Sequence, residues 1–146
     1  MKKDAKNSLE LFQAATDTSL PLSVVENGIS AGFPSPADDF LDNKIDLNKE
    51  LIKNPSTTFY GRVKGDSMIG AGLDDGDLLV IDKSLEPRDN RIAVCFIDGE
   101  FTVKRIQVAA DCIWLLAEND KYAPIKVTQD NDFLIWGIVI NVIKNV

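Results

Sequence analysis

The sequence predicts a mainly β domain, a twisted β body or partial barrel, with short N-terminal helices and an extended N-terminal arm in front of it. Three observations carry this expectation. From residue 57 onward, six apolar runs alternate with tight turns. Helix-start signals are confined to residues 35–52. Before residue 30, polar stretches enclose one short apolar patch, Leu9-Glu10-Leu11-Phe12.

In chain order, residues 1–8 are polar and residues 13–19 small and polar, so the segment up to about residue 30 reads as an arm without a core of its own. Pro21 interrupts it, and Leu22-Ser23-Val24-Val25 is suited to pairing as an edge strand. Ser35-Pro36-Ala37-Asp38-Asp39 has a capping serine, a proline at the first helical position and acids in the first turn. Asp46 is a second cap, followed by Leu47, Leu51 and Ile52 at helical spacing, and Asn54-Pro55 ends that turn. The predicted strands are 57–64, 77–82, 91–97, 101–108, 112–117 and 133–143, with Asp98-Gly99 as a two-residue hairpin turn. Trp114, Trp136, Phe96 and Phe133 are expected to fill the core.

Composition excludes several functions. A net charge of −7 argues against direct nucleic-acid binding, because phosphate contacts need clustered Lys and Arg. No apolar run reaches the ~18–20 residues that span a bilayer, and Met1-Lys2-Lys3-Asp4 leads into no signal-type apolar core. The expectation is therefore a cytoplasmic protein with no membrane anchor. Cys95 and Cys112 lie in apolar runs and read as buried, reduced thiols. With no histidine and no close cysteine pair, neither a metal nor another cofactor is expected. The acids Asp74, Asp75 and Asp77 are explained by turn chemistry.

The candidate chemistry centres on Gly65-Asp66-Ser67-Met68, a turn between two strand-like runs. Without histidine a Ser-His-Asp triad is impossible, and lysine is one recurrent substitute for the base. Free lysine titrates near pH ~10.4, so a lysine base must sit in an apolar pocket that favours its neutral form. In Phe101-Thr102-Val103-Lys104-Arg105-Ile106, alternation puts Thr102, Lys104 and Ile106 on one face. Lys104 then points inward while Arg105 points away and stays solvated. Pattern alone does not separate such a buried base from an ordinary exposed strand lysine.

Gly65-Asp66-Ser67-Met68, Asp75-Gly76-Asp77-Leu78-Leu79-Val80 and Asp98-Gly99-Glu100-Phe101-Thr102-Val103-Lys104, in this order, resemble the self-cleaving serine–lysine peptidases of the LexA/UmuD type. Ala31-Gly32-Phe33-Pro34-Ser35-Pro36-Ala37-Asp38, with Ile45-Asp46-Leu47-Asn48 behind it, narrows the resemblance to the UmuD branch, accessory proteins of error-prone DNA polymerases. The similarity runs from about Gly28 to the C-terminus.

The resemblance implies Ser67 as nucleophile, Lys104 as general base and Ala31–Gly32 as the bond the protein cuts in itself. It implies a cleavable arm, residues 1–31, and a β-rich peptidase domain, residues 32–146. Backbone N–H groups of Asp66, Ser67 and Met68 are the candidate oxyanion donors. It also implies a homodimer, stimulation by a RecA–single-stranded DNA filament, and a shortened product that joins a Y-family, UmuC-like polymerase in lesion bypass. Two other readings stand beside it: a non-catalytic dimeric binding module that regulates a polymerase, and a fragment of a LexA-type repressor. The arm is too short for a helix-turn-helix domain, which speaks against the repressor.

Overall fold

A computed structural model describes residues 9–17, 19, 21–23 and 44–146. The described elements are β1 (Leu9–Gln13), β2 (Pro21–Ser23), β3 (Lys44–Asp46), α1 (Leu47–Leu51), β4 (Thr58–Val63), β5 (Leu78–Asp82), β6 (Ile92–Ile97), β7 (Glu100–Val108), β8 (Ile113–Leu116), β9 (Ile125–Val127) and β10 (Phe133–Ile143). Two compact units result, one of Ala15–Pro55 and the other of Met1–Ala14 with Ser56–Val146.

In the smaller unit β2 pairs antiparallel with β3. Asp46 caps α1 as its sequence position predicts: its backbone is extended and its side chain accepts a hydrogen bond from Asn48 N at 3.0 Å. Ser19 Oγ donates to the other carboxylate oxygen of Asp46 at 2.9 Å. The helix expected from Ser35, the Val24-Val25 half of the expected edge strand and the Ala31–Gly32 bond lie outside the described residues.

In the larger unit all six predicted runs form strands, with ends within a residue of expectation. They join β1 and β9 in one open antiparallel sheet, ordered β1-β4-β5-β10-β6-β7-β8-β9. The chain is thus mainly β, with β10, the longest strand, between β5 and β6. Asp98 and Gly99 make the β6–β7 turn with φ of 47° and 88°. Positive φ at both central positions matches the right-handed twist of the paired strands, and a glycine takes the second at no steric cost.

Strand alternation supplies two cores. On β6, Val94 joins a cluster with Val63, Met68, Leu73, Leu79, Ile81 and Val103, whereas Ala93 and Cys95 join Ile106, Leu115, Val127 and Ile138. Each fully buried Leu or Ile among them contributes about 1.5–3 kcal/mol by leaving water. The expectation of an aromatic core is corrected here. Phe96, Trp114, Phe133 and Trp136 are half-buried, and no aromatic side chain is among the fully buried ones of the described residues. Trp136 packs against the first cluster and Phe133 against the second, and Phe59–Trp136–Phe101–Phe96 make a chain of edge-on contacts with centroids 5.0–5.9 Å apart.

Candidate functional site

The turn after β4 is closed by backbone and side-chain bonds. Val63 N donates to Asp77 O at 2.9 Å, Gly76 N to Val63 O at 2.8 Å, and Gly65 N to Asp75 Oδ1 at 2.8 Å. Asp74 N donates to Asp77 Oδ2 at 2.8 Å, and Lys144 forms an ion pair with both Asp74 and Asp77. The acids of this loop therefore bind backbone and a lysine. Among the described residues, no group of three His, Cys, Asp or Glu side chains could hold a metal ion.

Met68 anchors the turn by burying its side chain in the first core, 2% exposed, which sets its neighbour Ser67 at the sheet with 7% exposure. Lys104 arrives from β7. In register it lies opposite Ala93, with Thr102 opposite Cys95, so it occupies the face of the second core. It is 5% exposed, although a lysine is almost never buried without a partner.

The structure brings the two together: Lys104 Nζ is 3.2 Å from Ser67 Oγ. The amine also donates to Thr102 Oγ1 at 2.9 Å and to Val103 O at 3.1 Å. Among the described residues, no carboxylate pairs with it. Removal from water, with no counter-charge among the described residues, lowers its pKa from 10.5 to about 8. Burial in turn pushes the Cys95 thiol up to about 12, against a smaller pull from Lys104. At neutral pH Cys95 is therefore an uncharged thiol and offers the amine no ion pair.

Arg105 differs from its expected solvated position. It is half-buried, forms an ion pair with Glu118 and donates to Asn90 O at 2.6 Å. Cys112 is also only half-buried, because it precedes β8 at the strand's start.

Sequence reasoning missed the segment that holds the Ser67 turn from the other side. Glu118 N donates to Ser67 O at 2.8 Å, and Gly70 N donates to Glu118 O at 2.8 Å. Asn119 Nδ2 donates to Asp66 O at 2.9 Å, and the Tyr122 hydroxyl donates to Asp66 Oδ1. These residues lie 53 and 56 positions from Asp66, with no spacing to connect them. Thr102 could have been found, since it shares a face with Lys104 two residues away. An open cavity of about 450 Å³ adjoins the turn, lined by Gly65, Asp66, Ile69, Asp75, Lys121 and Tyr122.

No bond from the amides of Asp66, Ser67 or Met68 is found among the described residues.

The antiparallel sheet thus buries a serine hydroxyl against a desolvated amine. Comparison with known proteins gives the family. The Peptidase S24-like profile matches residues 23–140, and the chain belongs to that family, whose members are generally self-cleaving serine peptidases. The chain is 43% identical to the protein SamA of Salmonella typhimurium over 109 residues, 75% of each chain. It is 50% identical to the protein ImpA of Escherichia coli over 76 residues, 52% of each. It is 39% identical to LexA repressor 1 of Xanthomonas campestris over 132 residues, 90% of this chain and 64% of the relative.

Proposed function

We propose that this chain is a self-cleaving serine peptidase with Ser67 as nucleophile and Lys104 as general base. The observation that carries the reading is the 3.2 Å approach of the two buried groups without a neutralising acid among the described residues. As an ammonium, Lys104 has three N–H groups for three acceptors: Ser67 Oγ, Thr102 Oγ1 and Val103 O. Loss of one proton leaves two N–H bonds to Thr102 and Val103, and turns a lone pair towards the Ser67 hydroxyl.

The steps then follow. Neutral Lys104 accepts the hydroxyl proton as Ser67 Oγ bonds to the carbonyl carbon of Ala31. The resulting oxyanion takes hydrogen bonds from amides in the 66–68 turn. As the carbon–nitrogen bond breaks, protonated Lys104 gives its proton to the Gly32 amine. Water, deprotonated by Lys104, hydrolyses the acyl-enzyme and restores Ser67. Residues 1–31 leave as an arm, and residues 32–146 remain as the peptidase domain.

The likeness to SamA, ImpA and LexA supports a regulatory place in the response to DNA damage. In this reading the protein is a cytoplasmic homodimer. A RecA–single-stranded DNA filament favours its cleavable state, and the shortened product becomes the accessory subunit of a Y-family polymerase. The negative chain contacts DNA through those partners. Intact-mass spectrometry with and without RecA, ATP and single-stranded DNA tests the proposal. Loss of residues 1–31, accelerated by the filament and absent in Ser67→Ala, is expected. A chain that stays whole under every condition leaves only the binding-module reading.

A further inference from the structure

A proton acceptor alone does not make a serine fast. The oxyanion must meet donors already aimed at it, since reorienting them during the reaction adds to the barrier. The peptide unit is planar and trans, so its N–H points opposite to its C=O. Fixing the carbonyl of Asp66 therefore fixes the amide of Ser67, and fixing the carbonyl of Ser67 fixes the amide of Met68. Both carbonyls are held by one segment: Asn119 Nδ2 donates to Asp66 O at 2.9 Å and Glu118 N donates to Ser67 O at 2.8 Å.

That segment is itself braced. Gly70 N donates to Glu118 O at 2.8 Å, and a Cβ on Gly70 would stand 2.6 Å from this oxygen, so the approach needs glycine. The Glu118 side chain is paired with Arg105, the neighbour of Lys104 on β7. Asn119 Oδ1 accepts from Lys121 N at 3.1 Å, which sets the amide group with its NH2 towards Asp66.

We propose that residues 118–122 orient the Ser67 and Met68 amides as oxyanion donors, with Asn119 as the positioning side chain. The inference rests on the reading of Ser67 and Lys104 as the reacting pair. Asn119 touches neither reacting atom and acts through the Asp66–Ser67 peptide, whose carbonyl would keep only the longer bond from Ile69 N at 3.3 Å without it.

Asn119→Asp keeps the acceptor for Lys121 N but replaces the donor to Asp66 O by a negatively charged oxygen, while Asn119→Ala loses both bonds without adding charge. Self-cleavage of each full-length variant is followed by intact mass from pH 6 to 10.5, alongside the thermal midpoint of its Ser67→Ala counterpart. Both variants should fall about tenfold to a hundredfold in limiting alkaline rate. The pH midpoint and the thermal midpoint of Asn119→Ala should stay in place. Wild-type limiting rates in the two variants would overturn the proposal, as would a loss explained by a displaced midpoint in Asn119→Ala. A wild-type protein inert at every pH would remove the dyad reading and this inference with it. A wild type that cuts no faster than Asn119→Asp and Asn119→Ala removes this inference alone.

Discussion

Removing the amine of Lys104 should make the protein more stable, by an amount that shrinks as pH rises. The amine is buried with hydrogen-bond acceptors but, among the described residues, no counter-charge, so the folded state resists its protonation. Its pKa is lowered from 10.5 to about 8 on folding. Between these values the unfolded chain holds a proton that the folded chain lacks, and stability rises with pH through that window. Below the folded value both states are protonated and the whole penalty is present. Linkage gives a cost of about 3 kcal/mol at pH 7, falling to about 1 kcal/mol at pH 10. Self-cleavage would confuse the assay, so the comparison is made between Ser67→Ala and Ser67→Ala with Lys104→Met. Urea unfolding at pH 7, 8, 9 and 10 gives both stabilities. Charges shared by the two proteins cancel in the difference. The advantage of the methionine variant should narrow by about 2 kcal/mol across that range. A difference that stays flat means Lys104 titrates as in water, and the argument for a neutral base fails.

Thr102→Val removes the acceptor 2.9 Å from Lys104 Nζ, and self-cleavage should slow about tenfold as the amine loses its fixed direction; an unchanged rate by intact mass would show that Val103 O suffices. Gly70→Ala should cost about 1–3 kcal/mol in urea unfolding, because the added Cβ meets backbone at Glu118 O and the turn must shift. Wild-type stability there would mean the turn and the 118–122 segment are not in close contact. Gly32→Glu should block cutting by obstructing the approach to Ser67, and a normal product mass from this variant would place the cut bond elsewhere.

How much of this was legible in the sequence follows from which forces were local. The six central strands could be read because each pairs on both sides and carries its own apolar pattern. β1, β3 and β9 could not. Leu9–Gln13 and Ile125–Val127 are edge strands with mostly exposed or half-exposed residues, and Lys44–Asp46 is three residues long. Their pairing is decided by the neighbouring strand. The inward direction of Lys104 came from alternation, a property of the backbone. The pairing of Arg105 with Glu118, and the hold of Asn119 on Asp66, depend on where distant loops meet, which no spacing encodes. The rings stand at the margins of the clusters, Trp136 against the first and Phe133 against the second, because residue type predicts burial only on average.

The central claim concerns one proton on one amine, and its most direct test is the pH profile of arm removal from the full-length protein without partners, read by intact mass. With a lysine pKa of about 8, neutral Lys104 rises from about 9% at pH 7 to about 90% at pH 9. The rate should therefore climb roughly tenfold over that interval and level off above it. A rate that keeps rising in proportion to hydroxide through pH 10.5, or survives unchanged in Lys104→Met, would contradict the account.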